Sequence, residues 1–255
     1  MSGLLQNKTI IVTGAGGGIG RAACVVLAAA GAKVVVTDIV EPAGIATVDE
    51  VKAQGGTALF VKADLAVEAD VRNLVDKAVD AFGKLDGAFN NAGLEQCAVP
   101  LHELTTEQWE KALRVDLTSV FWCIKYQVIA MLKTGGGAIV NTASSLGQVA
   151  IPNASEYITA KHGVVGLTRA AGAEYAARGI RVNAVLPGII NTPMISRLSE
   201  DARFSAMFDK LRDRHPIGRF GNPAEVGEAV KWLLSSDASF MNGAAMAVDG
   251  GYLSI

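Results

Sequence analysis

The chain is 255 residues long, 50% hydrophobic and 19% charged, with 28 glycines and a formal net charge of −2. That apolar share excludes a disordered chain and is enough to fill one large α/β core. The near-even charge balance leaves no basic footprint for nucleic acid or an anionic membrane, and the longest strongly apolar stretch, Ala22 to Ala32, is well short of the ~20 residues that span a bilayer. The first residues carry no basic segment leading into a long apolar run, so no signal peptide is expected. Cys24, Cys97 and Cys123 form no C-x-x-C pair, so a reduced cytoplasmic protein is expected, with these thiols as small core residues.

Short β-branched runs alternate with longer amphipathic stretches. Thr9 to Thr13 reads as a strand and Ile19 to Ala30 as a helix closed by Gly31. Lys33 to Asp38 reads as the second strand, and Pro42 to Gln54 as a helix ended by Gly55 and Gly56. Ala58 to Lys62, Asp86 to Asn90, Ala138 to Thr142, Arg181 to Leu186 and Ala245 to Val248 repeat the strand signal. Nearly continuous apolar strands separated by helices predict an α/β fold. It should be a Rossmann-like doubly wound parallel sheet of about seven strands, covered on both faces. No linker or repeat interrupts it, so residues 1–255 read as a single dinucleotide-binding and catalytic domain.

Between the first strand and first helix lies TGAGGGIG, residues 13–20. There a dinucleotide pyrophosphate would meet helix N-terminal amides, and glycines would let the backbone approach it. The spacing is not G-x-G-x-x-G, because the third position after Gly14 and Gly16 is Ile19; it is G-x-x-x-G-x-G, through Gly14, Gly18 and Gly20. Asp38 ends the second strand, 20 residues beyond Gly18. A carboxylate there accepts hydrogen bonds from ribose hydroxyls and repels a 2′-phosphate. Ile39 follows it, and Arg21 lies within the helix start, so the expected cofactor is NAD rather than NADP.

Tyr157 and Lys161 stand at i and i+4, on one face of a helix. Ser144 lies 13 residues before Tyr157, just past a strand, at the edge where open α/β sheets bind ligands. A phenol ordinarily titrates near 10, so its use as a base near neutrality needs a phenolate-stabilising charge. One ammonium at ~4 Å in an effective dielectric of ~20 supplies about 4 kcal/mol, enough for a pull of ~2–3 units. Lys161 is expected in that role, with Ser144 orienting the substrate oxygen.

These motifs together resemble the short-chain dehydrogenase/reductase family over essentially the whole chain. Asp64-Leu65, the NNAG of residues 90–93, the PGIINT of residues 187–192, Arg219 to Pro223 and Asp249 to Gly251 fit as well. The resemblance implies that Asp64 and Leu65 hold the adenine, and that Asn90, Asn91 and Gly93 line the cofactor cleft. Pro187 and Gly188 lead to Ile190 and Thr192, which would fix the nicotinamide carboxamide. Lys161 would also bind the nicotinamide ribose alongside Tyr157. The family commonly has an asparagine in a water-mediated proton relay where this chain has Asp116. Aspartate is nearly isosteric and a relay through its backbone carbonyl survives, so Asp116 is carried as a relay member. The resemblance further implies a homotetramer built through the helix ending near Leu132, the Tyr157 helix and the C-terminal strand.

His102, His162 and His215 lack ligand spacing, so no metal site is expected, and His162 reads as a helix-face residue. Glu95, Gln96 and Cys97 read as loop residues near the substrate pocket. Residues 190–220 read as a variable substrate lid, greasy through Met194, Ile195, Leu198, Phe204, Met207, Phe208 and Leu211. With Leu146, Val149, Ile151 and Pro152 opposite, the expected substrate is a hydrophobic alicyclic or aromatic secondary alcohol or ketone. The alternative is a 3-oxoacyl-thioester reductase with a basic entrance from Lys210, Arg212, Arg214 and Arg219, although Asp38 opposes the NADPH such enzymes typically use. A redox-sensing binding protein that has lost the chemistry would be expected to lack Tyr157 or Lys161, and both are present.

Overall fold

Strands covered on both faces have no polar side to show, and the burial follows that rule: every residue of Thr9–Thr13 and of Gly87–Asn90 is buried. The computed structural model describes residues 3–192, 195 and 208–255. Its strands are β1 (Thr9–Thr13), β2 (Lys33–Asp38), β3 (Thr57–Lys62), β4 (Gly87–Asn90), β5 (Gly137–Thr142), β6 (Ile180–Pro187) and β7 (Ala245–Val248). They form one parallel seven-stranded sheet in the order β3-β2-β1-β4-β5-β6-β7. The helices are α1 (Gly18–Ala29), α2 (Glu41–Ala53), α3 (Glu68–Phe82), α4 (Thr106–Leu113), α5 (Ser119–Met131), α6 (Ser155–Tyr175), α7 (Phe208–Asp213) and α8 (Pro223–Leu234). The expected strands are all present, with boundaries moved by one residue at most.

Alternate strand residues feed two cores. Ile11, Val35, Ala88 and Ile139 point to the face covered by α3, α5 and α6, where they meet Leu74, Ile124 and Val164. Val12, Val34, Val36, Phe89 and Val140 point to the other face, against Leu27 of α1, Val51 of α2 and Val230 and Leu233 of α8. Gly31 closes the chain after α1 with φ +94°, a conformation that favours glycine. Strand order reverses between β1 and β4, so the loops beyond their carboxyl ends diverge and open a crevice.

One polar network crosses the sheet's interior. The Asn90 amide donates to Gln127 Oε1 at 3.0 Å and to Asn141 Oδ1 at 2.9 Å, and Gln127 returns a bond to Asn90 Oδ1 at 2.7 Å. Asn141 donates in turn to Thr168 Oγ1 at 2.9 Å. All four side chains are buried. Each member finds its partners inside the core, so the network joins β4, β5, α5 and α6 in one register. Asn141→Ala strips partners from Asn90 and Thr168 at once and should cost about 2–3 kcal/mol. A thermal midpoint lowered by about 5–10 °C is the expected result; an unchanged midpoint would contradict the role given to the network.

Candidate active site

The glycine loop is shaped by close backbone contacts. A Cβ at Gly14 (φ +60°) would lie 2.8 Å from Ala92 Cα, and one at Gly20 would lie 2.2 Å from the Gly14 carbonyl oxygen. At Gly17 the same construction meets nothing within 4 Å. Gly17 is also the N-cap of α1, and no side chain bonds the helix's first N–H groups. Uncapped amides facing open space at a helix start fit an anionic diphosphate. Across the opening, a Cβ at Gly18 would come within 3.3 Å of Thr192 Cγ2, so the loop after β6 faces the glycine loop.

Asn91 serves this loop from behind. Its backbone N–H donates to Thr13 Oγ1 at 2.8 Å, and its side chain donates to the carbonyls of Thr13 at 3.1 Å and Gly14 at 3.3 Å. The Asn90 side chain does not line the cleft as the resemblance implied. It faces into the buried amide network, because the register of β4 and β5 sets Asn90 opposite Asn141.

At the end of β2 both Asp38 oxygens are anchored. Oδ2 accepts from Gly16 N–H at 2.8 Å and Oδ1 from Val40 N–H at 2.9 Å. A Cβ at Gly16 would strike that carboxylate at 2.8 Å, which is why glycine stands there. Arg21 is engaged within the fold: it donates to the Gly16 carbonyl at 2.6 Å and to Thr47 Oγ1 at 3.1 Å. After β3, Asp64 Oδ1 accepts from Ala66 N–H at 2.9 Å, and Leu65 is buried in the core.

The reactive side chains converge at the carboxyl edges of β4 and β5. Ser144 starts a single 3-10 turn, Ser145–Gly147, that presses on α6; a Cβ at Gly147 would sit 3.0 Å from the Lys161 carbonyl oxygen. Ser144 Oγ accepts from Leu146 N–H at 3.1 Å, which leaves its own hydrogen free to donate. On α6, Tyr157 is half-buried and Lys161 is buried, with Nζ 5.3 Å from the Tyr157 ring centre and donating to the Thr142 carbonyl at 3.4 Å.

Asp116 completes the cluster by direct contact. It lies in a wide helical turn, Arg114–Thr118, between α4 and α5, and its Oδ1 is 3.3 Å from Lys161 Nζ. The same oxygen accepts from Leu94 N–H at 3.0 Å, while Oδ2 is buried without a partner. Gly93 has no Cβ because one would lie 2.5 Å from Asp116 Oδ1 and 3.3 Å from Lys161 Nζ. Burial works against the Lys161 ammonium, but Asp116 and then Tyr157 hold it above the usual lysine range. Burial also pushes the Asp116 carboxyl up, against the pull of Lys161 and Leu94 N–H.

Two residues of this region carry roles that spacing alone does not reveal. Glu156, beside Tyr157, is a buried carboxylate whose Oε1 accepts from Cys97 N–H at 2.6 Å, tying the loop after β4 to α6. His215 is buried: its Nε2 accepts from Ile189 N–H at 3.1 Å and its Nδ1 lies 2.9 Å from the Leu211 carbonyl, so it braces the loop leading to Ile190 and Thr192. Cys24 and Cys123 are core thiols, Cys123 pushed up to about 12 by burial. Cys97 is only partly buried, since it belongs to the loop over the site rather than to the core. His162 is an exposed helix-face residue, with Nδ1 2.9 Å from the Ile158 carbonyl. Met194, Leu198, Phe204 and Met207, and the side chain of Phe208, lie outside the described residues.

A glycine loop, a serine, a tyrosine and a buried lysine stand together at a topological switch point, an arrangement that fits a nicotinamide-dependent oxidoreductase. A family model described as enoyl-(acyl carrier protein) reductase matches residues 14–253, and the chain belongs to the short-chain dehydrogenase/reductase family. It is an oxidoreductase acting on CH–OH groups with a nicotinamide cofactor. A 2,5-dichloro-2,5-cyclohexadiene-1,4-diol dehydrogenase of Sphingobium indicum is 48% identical over 253 residues, 98% of this chain and 99% of that protein. A cyclohexanol dehydrogenase of an Acinetobacter species is 48% identical over 254 residues, 100% of this chain and 98% of that one. The crystal structure of levodione reductase superposes with a TM-score of 0.93 at 37% identity, covering 98% of this chain and 99% of that one. Another solved relative, at 34% identity, has bound NADP, so family membership leaves the choice of cofactor to the end of β2.

Gly20→Ala places a methyl group against the Gly14 carbonyl, forcing the loop apart. Fluorescence titration with NADH should show binding weakened by about 100-fold or more with the far-ultraviolet dichroism unchanged. Native affinity in that variant would contradict the loop's assignment.

Proposed function

We propose that the protein is an NAD-dependent dehydrogenase of hydrophobic cyclic secondary alcohols, working at Tyr157, Lys161 and Ser144. The observation that carries this reading is the Lys161 ammonium, buried beside the Tyr157 ring at the carboxyl edge of the sheet. When bound, the oxidised nicotinamide supplies the acceptor for the hydride leaving the carbinol carbon. The substrate hydroxyl gives its proton to the Tyr157 oxygen, and Lys161 stabilises the negative charge that makes this oxygen a base. Ser144 donates its free hydrogen to the substrate oxygen and fixes its direction. In ketone reduction the same groups work in reverse, with Tyr157 returning the proton.

The cofactor fits the residues present. The uncapped start of α1 suits the pyrophosphate, and Thr192 faces Gly18 across the opening. The family resemblance assigns Asp64 and Leu65 to the adenine and Ile190 with Thr192 to the nicotinamide carboxamide. Asp38 supports NAD, because its pinned carboxylate accepts from ribose hydroxyls and repels a 2′-phosphate, and Arg21 is committed elsewhere. Leu146, Val149 and Ile151, all accessible in part on the Ser144 side, suit a ring substrate, as do the substrates for which the curated relatives are named.

The thioester reading gains less. Arg219 is locked in a two-pronged pair with Glu225 at 2.9 and 2.7 Å, and Arg214 lies 4.5 Å over the Tyr252 ring, so neither is a free entrance cation. The working enzyme is a cytoplasmic homotetramer in this proposal. Phe121 and Ile129, exposed on α5, support the assembly.

A panel of cyclic and linear secondary alcohols, assayed by NADH absorbance with NAD and with NADP, tests the reading. Cyclic alcohols with NAD should give the highest kcat/KM, and NAD should lead NADP by about 100-fold or more. Asp38→Ser should shrink that ratio. A parent enzyme preferring NADP would overturn the cofactor assignment. Tyr157→Phe should lose about 100- to 10,000-fold in kcat while NADH binding stays close to the parent's. Retained turnover would overturn the role of Tyr157.

A further inference from the structure

Lys161 faces an acidic side chain. Asp116 Oδ1 stands 3.3 Å from its Nζ, with 4% of the lysine side chain and 1% of the aspartate side chain exposed. The Tyr157 ring centre lies 5.3 Å from the same Nζ. An isolated ammonium at that distance would present an unopposed positive charge to the phenolate. An ammonium paired with a carboxylate presents a dipole, whose field falls off faster with distance.

The pairing is built into the backbone. Leu94 N–H holds Asp116 Oδ1 in place, and the absent Cβ of Gly93 leaves the room that both charged groups occupy. Asp116 Oδ2 is buried without a hydrogen-bond partner, so much of the carboxylate's charge acts on its surroundings instead of being taken up by donors. The other titratable groups facing the pair are few. Tyr157 and Glu156, both from α6, act on the pair directly. Cys97 from the loop after β4 interacts with Glu156 and, from α4, Lys111 acts on Cys97.

We propose that Asp116 sets the pH range of catalysis by withholding part of the Lys161 charge from Tyr157. The consequence has a definite sign. A carboxylate beside the lysine makes Tyr157 a base only at more alkaline pH than a neutral residue there would, so alcohol oxidation is biased toward alkaline conditions. The inference rests on Tyr157 acting as the acid/base of the proposed function. Asp116 here is a positioning residue that acts through Lys161, and no substrate contact is assigned to it.

The test is the pH dependence of kcat/KM for alcohol oxidation with NAD, in the parent and in Asp116→Asn. The acid limb of the profile should move down by about one pH unit in Asp116→Asn, a gain of about tenfold in kcat/KM at a fixed pH on that limb. Asp116→Ser, neutral and smaller, should move the limb the same way and reads the same quantity if the asparagine variant folds poorly. A limb that stays in place, or moves to higher pH, in a folded neutral variant overturns the proposal. Failure of the underlying reading looks different: Tyr157→Phe would then keep its turnover, whatever the Asp116 variants do.

Discussion

A charged amine buried under a sheet's edge is the constraint on which this site depends. Lys161 is 3% exposed, and burial of an isolated ammonium is prohibitive unless its charge is met. Three groups meet it. The Asp116 carboxylate supplies charge, the Thr142 carbonyl supplies a hydrogen bond, and the Tyr157 ring presents its face. Each comes from a different part of the chain. The wide turn between α4 and α5, the end of β5 and the start of α6 must all be in place before the lysine can be accommodated, so folding and the proposed catalytic arrangement are coupled.

The doubly covered sheet provides the rigidity that this coupling needs. Alternate residues of each central strand enter separate cores, and the Asn90–Gln127–Asn141–Thr168 network fixes β4 and β5 against α5 and α6. Ser144 and the NNAG loop leave the carboxyl ends of those same strands, so the network sets the platform of the candidate site. Glycine has a comparable explanation at Gly14, Gly16, Gly20 and Gly93, where a side chain would strike backbone, Asp38 or the Lys161–Asp116 pair. Low charge is what a two-faced core and a close-packed cofactor loop demand.

Much of this was legible in the sequence because it is local. Continuous apolar strands, the glycine loop, Asp38 at a strand end and the i, i+4 spacing of Tyr157 and Lys161 all declare themselves within short windows. What escaped depends on distant partners. Asn90 sits in a motif that resembles a cleft-lining one, yet pairing with Asn141 and Gln127 turns its amide inward. Glu156 looks like an exposed helix residue until the loop carrying Cys97 folds over it. Asp116 reads as an isosteric relay residue; its ion pair with Lys161 appears only once the turn at 114–118 is wound wide.

The central claim is that Lys161 both holds the site together, through Asp116, and activates Tyr157. A double-mutant cycle of Lys161→Met and Asp116→Asn, read in thermal stability and in turnover, separates the two roles. Lys161→Met alone leaves a buried carboxylate unpaired and should cost about 3–5 kcal/mol as well as turnover. Adding Asp116→Asn should restore most of the stability and none of the turnover. Simple additivity of the two losses in stability, or recovery of turnover in the double variant, would contradict the account.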